Sequence, residues 1–158
     1  MSFLPDLSAW AGNGLGEHAR AVGWLDPVHE FSTGTVSIGF FERLVALLKS
    51  PWQPAAAAGR HRCAFCKFTG GPSSISYAGD TIVLGSSVLV VPSANALFVA
   101  PSMIAHYVDA HGYSPPQAFM EAVLNCPEMR SIPYLRLLRA HGVSAKPTWT
   151  GLPDNASR

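Results

Sequence analysis

An α+β fold is predicted for this chain of 158 residues, and three features predict it. Apolar residues recur at three- and four-residue spacing in about four segments, one near residue 40 and three beyond residue 100. Between Ser74 and Val99 the pattern changes to short runs rich in β-branched residues. Those runs are separated by turn residues, as in antiparallel hairpins. Composition agrees: apolar residues make up 48% and charged residues 13%, against about 25% charged in an average soluble domain, which excludes an intrinsically disordered chain. Fourteen Gly and thirteen Pro point to many short elements and exclude a long helical bundle. The formal net charge of +1 supplies no overall field for nucleic acid or an acidic membrane.

The chain is loop-rich up to Gly34, with Trp24-Leu25 as a short candidate strand beside the turn signal Asp26-Pro27. From Ser37 to Lys49, the residues Ile38, Phe41, Leu44, Val45 and Leu48 fall on one helix face. Thr35 or Ser37 supplies the N-cap, and Ser50-Pro51 ends the helix. Gln53 to Gly59, with four alanines and a proline, reads as a connector. Ser74 to Tyr77 is a strand candidate followed by a Gly79-Asp80 turn. Thr81 to Leu84 and Val88 to Val91 are further candidates, with a bulge or bend expected at Gly85-Ser86-Ser87. Pro92-Ser93-Ala94-Asn95 turns the chain back into Ala96 to Val99, giving a hairpin.

Three helices are expected to follow. Pro101 suits the first turn of one that carries Met103, Ile104, Tyr107 and Val108 and stops at Gly112. Ser114-Pro115-Pro116-Gln117 reads as a capping box for a second, carrying Phe119, Met120, Val123 and Leu124 and ending at Pro127. Ser131 caps a third, with Tyr134, Leu135, Leu137 and Leu138, ended by Gly142. Beyond Val143 no periodicity remains and a loose tail is expected.

Met1 to Trp10 lacks the basic and apolar runs of a signal peptide, and the most apolar stretch, Thr81 to Pro101, is too interrupted for a membrane helix. A cytoplasmic, membrane-free protein is expected. Cys63, Cys66 and Cys126 are too few and too unevenly placed for a disulfide framework.

The chemistry concentrates in Cys63-Ala-Phe-Cys66 and His106-Tyr-Val-Asp-Ala-His111. Two thiolates on a tight turn and two imidazoles near a helix end make a tetrahedral Cys2His2 shell, and this sulfur–nitrogen mixture suits Zn2+ better than calcium or magnesium. On an ideal helix, residues five apart point about 140° away from each other, so the helix has to end or distort at His111, beside Gly112. Cys126 or His61 replacing one ligand is an alternative shell. Four protein ligands argue for a closed structural ion, whereas catalytic zinc keeps a position for water. A thioredoxin-like redox role is disfavoured because Lys67-Phe68-Thr69-Gly70-Gly71-Pro72 cannot sustain the helix such a motif needs. Asp109 reads as a solvated acid, with orientation of an imidazole as the rival role. Arg60, His61, Arg62 and Lys67 surround the knuckle, while Arg130, Arg136, Arg139 and Lys146 line an acid-free C-terminal stretch with Trp149. They raise a nucleic-acid alternative that requires Arg60, Arg62, Arg136 and Arg139 to share a face. His18, His29 and His141 read as isolated surface or loop residues.

Arg60 to Cys66 and Val99 to Pro116 resemble a group of small bacterial proteins of unknown function. That group pairs C-x2-C with a helix ending H-Y-x3-H-G-Y-x-P-P and a following F-x2-A-V, here Phe119 to Val123. The resemblance covers most of residues 22 to 127; it implies the zinc site and one compact unit, and no activity. The organisation expected is one domain over 1–158. It comprises an N-terminal helical segment (1–59), a zinc-finger-like ββα core (60–113), a C-terminal helix pair (114–142) and a loose tail (143–158). The function expected is that of a non-enzymatic, zinc-stabilised interaction module with a protein partner and a tendency to homodimerise. A metal-dependent hydrolase or nuclease is the enzymatic alternative, and no catalytic residue is assigned.

Overall fold

The pairing of the two most apolar strands organises the molecule. In the computed structural model, which describes residues 3–12, 14–54 and 61–144, a three-stranded sheet runs in the order β1-β5-β4 and a two-stranded hairpin joins β2 and β3. Strand β4 (Val88–Pro92) pairs antiparallel with β5 (Leu97–Pro101), Val90 opposite Val99. All of β5 is buried, as a central strand covered on both faces must be. Strand β1 (Ala19–Ala21) lies parallel to it, Ala19 opposite Leu97. Strands β2 (Ser74–Tyr77) and β3 (Asp80–Val83) form the separate hairpin, half-exposed along its length.

The described residues form four helices: α1 (Ile38–Leu48), α2 (Ile104–His111), α3 (Gln117–Asn125) and α4 (Ile132–Ala140). Ser37, not Thr35, caps α1 by accepting from the Phe40 amide, and Ser131 caps α4 by accepting from the Tyr134 amide. Helices α3 and α4 pack on β4, and α1 packs between α3, α2 and β3. Phe40 and Phe98 both meet the ring of Phe119 edge-on in the middle of this core. The α+β class is therefore observed, with the sheet and helices largely where apolar spacing places them.

Four local expectations are corrected. Trp24-Leu25 is not a strand; β1 lies at Ala19–Ala21, a segment with no β-propensity signal, where Ala19 and Ala21 are buried against β5 and Arg20 between them is only half-buried. Gly23, at φ 78°, turns the chain out of the strand, and Trp24 contributes its indole N–H to the Val99 carbonyl instead. The β2–β3 turn is Ala78-Gly79, both at positive φ as a two-residue hairpin of this hand requires, and Asp80 pairs with Tyr77 inside the strand. Pro101 ends β5 opposite Val88 rather than opening α2. Ser114 caps nothing: α3 begins at Gln117 behind Pro116, with no side-chain cap, and the Ser114 amide bonds the Ser32 carbonyl. Two consecutive prolines hold the preceding residues extended, which postpones the helix. Gly85, at φ 84°, opens the segment that carries the chain from one sheet to the other. Most of the expected loose tail and of the expected connector lies outside the described residues, as do Arg60, Lys146 and Trp149; of the tail, Val143 is buried and donates its amide to the Leu138 carbonyl. Among the described residues no helix is long and apolar enough to cross a membrane.

Candidate metal centre

The sequence Cys63-Ala-Phe-Cys66 forms a turn that closes on its own backbone. The Cys63 amide donates to the Gly70 carbonyl at 2.7 Å, and the Gly70 amide donates to the Cys66 carbonyl at 2.8 Å. Amide N–H groups of Phe65 and Cys66 are directed at the Cys63 sulfur and favour its thiolate. Burial acts in the opposite direction and dominates, pushing the Cys63 thiol above the ordinary thiol range. A buried sulfur of this kind ionises when a cation is there to receive it.

Helix α2 delivers both histidines. His106 is buried in its interior and His111 is its last residue, half-buried, followed by Gly112 at φ 65°. The Gly112 amide closes on the Tyr107 carbonyl, so the helix stops before a further turn could obstruct the His111 ring. Helical side chains lean toward the N-terminus, which brings the His111 ring back beside Tyr107 and onto Phe65, with ring centroids 5.1 Å apart in the latter pair. The two imidazole Nε2 atoms thereby come to 3.2 Å despite the five-residue spacing. Burial, aided by the neighbouring His111, holds His106 below the ordinary imidazole range and thus neutral, the form that ligates a metal.

Four donor atoms converge on one point. Cys63 Sγ lies 3.4 Å from His111 Nε2, Cys66 Sγ lies 3.4 Å from His106 Nε2 and 3.6 Å from His111 Nε2, and all four atoms fall within 4.8 Å of one another. The structure thus brings together Cys63, Cys66, His106 and His111 as a group that could hold a metal ion. The alternative donors stand elsewhere. His61 Nε2 is paired with the Tyr107 hydroxyl at 3.0 Å. Cys126 is buried beyond α3, its thiol pushed up to about 11 by burial, and its carbonyl accepts from Arg43. Asp109 is exposed and makes no hydrogen bond to either imidazole among the described residues. His29 and His141 are less isolated than expected: His29 bonds Asp26 at 2.7 Å and stacks on Phe3, and His141 meets the Ser93 carbonyl and the ring of His18. Arg62 flanks the knuckle, whereas Arg136 and Arg139 belong to α4 on the β4 side of the molecule.

Residues that spacing did not single out shape this centre. A Cβ placed on Gly71 would lie 2.7 Å from Cys63 Cβ and 3.6 Å from His106 Nε2, and the residue sits at φ 82°. Only glycine fits there without moving the knuckle away from α2. Gly71→Ala is expected to weaken any metal affinity of this group more than tenfold in chelator competition; unchanged affinity would show that this contact does not set the donor geometry. The Gly-Gly pair four residues past the second cysteine was the available sequence signal. Phe65 packs edge-on against Phe31 and Tyr107, walling the cluster on one side. Behind it, Tyr113 donates to Asp6 at 2.8 Å, and Asp6 accepts from the Gly23 amide at 2.9 Å, tying the N-terminal segment to the end of α2.

No curated protein and no solved structure matches the chain. A family model described as a domain of unknown function (DUF7919) matches residues 2–124, a span that includes all four donors and every element through most of α3.

Proposed function

We propose, for this chain, which belongs to the DUF7919 family, that Cys63, Cys66, His106 and His111 bind one Zn2+ as a closed structural clamp, and that the clamped unit is a non-enzymatic interaction module. The supporting observation is the size of the donor tetrahedron. Zn–S bonds of about 2.3 Å and Zn–N bonds of about 2.05 Å at tetrahedral angles require N···N edges of about 3.35 Å and S···N edges of about 3.55 Å. Four of the six edges here are 3.2 Å for N···N and 3.4, 3.4 and 3.6 Å for S···N, and the other two are within 4.8 Å. Two sulfurs and two imidazole nitrogens favour zinc over the oxygen-seeking calcium and magnesium. Four protein donors at tetrahedron edges also leave no corner for a water, which argues against hydrolytic chemistry at this ion.

The clamp adds to contacts that already hold the knuckle and hairpin to the core, among them Phe41 on Tyr77, Lys49 with Asp80, and His61 with Tyr107. The knuckle leads into the β2–β3 hairpin, which lies outside the main sheet, and the ion would fix it to α2 beside the core. Elemental analysis of protein purified without chelators is expected to give one zinc per chain. Cobalt substitution is expected to give the intense visible bands of a tetrahedral site together with sulfur-to-cobalt charge transfer. Zinc-free protein, or octahedral cobalt spectra, would overturn the assignment.

A further inference from the structure

The knuckle presents a second feature that metal binding does not use. Its two aromatic residues face opposite fates: Phe65 is packed among Phe31, Tyr107 and His111, whereas Phe68, three residues on, is fully exposed. Phe68 contacts no other ring among the described residues. Lys67 beside it is exposed, and so is Arg62, whose stem lies across the turn within 3.0 Å of where a Gly70 Cβ would be. Neither cation forms an ion pair among the described residues, and from Arg43 to Gly79 the sequence contains no Asp or Glu. The loop is short and closed by backbone hydrogen bonds at both ends, so holding Phe68 outward costs little further entropy on binding.

We propose that the tip of the knuckle is a docking surface for single-stranded nucleic acid, on which Phe68 stacks against a base while Lys67 and Arg62 hold adjacent phosphates. A single free ring on a turn that also carries two exposed cations is too small an apolar area for a protein interface core. It suits stacking, which uses one ring face and is indifferent to base identity. The proposal rests on the metal reading, because the ion would fix the turn that carries Arg62, Lys67 and Phe68, while Zn2+ with two thiolates adds no net charge beneath the tip.

The test is fluorescence anisotropy of labelled oligo(U) and oligo(dT) of about twelve nucleotides with the zinc-loaded full chain at low and moderate salt. Zinc content is read on every sample. Binding that weakens with salt is expected. Phe68→Ala is expected to weaken it about 5- to 150-fold, the loss of one stacked base. The double variant Lys67→Gln, Arg62→Gln is expected to lower the slope of log affinity against log salt by about 1.4, two phosphates on a single strand. Zinc-replete protein that binds no oligonucleotide, binding unaffected by Phe68→Ala, or Phe68-dependent binding only to phosphatidylserine vesicles would each overturn the proposal. Protein that purifies without zinc in the absence of chelators, yet binds through Phe68, would uphold the surface and overturn the clamp beneath it.

Discussion

Cys63→Ser and His106→Ala are each expected to abolish stoichiometric zinc binding and to lower the melting temperature to that of chelator-treated wild type. The magnitude follows from linkage. An ion that binds only the folded chain, present at a thousand times its dissociation constant, adds about 4 kcal/mol of stability. Removing either ligand forfeits that contribution and, for Cys63, leaves a buried position without its charge partner. The loss should be local in the first instance. Strands β4 and β5 retain their own apolar core with α3 and α4, whereas the half-exposed β2–β3 hairpin is held by the knuckle and by its packing on α1. Hydrogen exchange is therefore expected to rise across residues 61–84 while β4 and β5 stay protected. Coincident melting curves for both variants and the chelated wild type support a structural ion. Zinc loss with an unchanged melting temperature and unchanged exchange would show that the ion is not what holds this part of the fold.

Tyr107→Ala is the second large effect, with an expected loss of about 3–5 kcal/mol in urea unfolding, typical for emptying a large buried aromatic site. Tyr107 lies between the two candidate ligands on α2 and is 1% exposed. Its ring meets Phe65 edge-on, and its hydroxyl is 3.0 Å from His61 Nε2. Burial, with the two cysteine sulfurs nearby, raises the phenol far above its ordinary pKa, so it stays protonated and available for the His61 pair. Tyr107→Phe separates the two contributions. It keeps the ring and removes the hydroxyl from a half-buried imidazole, so a loss of about 1–2 kcal/mol is expected, with zinc retained. A Phe variant as damaged as the Ala variant would assign the effect to the hydrogen bond rather than to packing.

The four candidate ligands were legible because metal chemistry leaves a compact signature: two cysteines two residues apart, and two histidines where a helix must end. Helices α1 and α4 were equally legible, since an apolar stripe bounded by a serine cap and a Pro or Gly is a local device. The strands of the β4–β5 hairpin were read from β-branched content and the turn between them.

What the sequence determined by itself were properties carried by neighbours along the chain: periodicity, caps, turns and ligand spacing. The tertiary structure decided what depends on residues distant in sequence. It made a strand of Ala19–Ala21, which has no propensity for one, because β5 offered a parallel edge against which Ala19 and Ala21 are buried. It passed over Ser114 as a cap, because Ser32 took its amide and two prolines kept the chain extended. It chose His106 and His111 over His61 and Cys126 by where α2 stops and which groups the Tyr107 hydroxyl and the α3 terminus engage. It also made Gly71 indispensable, since only in the folded chain does Cys63 Cβ occupy the space a side chain there would need. Local signals fix torsion preferences at a few residues each, whereas the distances between donors are set by packing summed over the whole core.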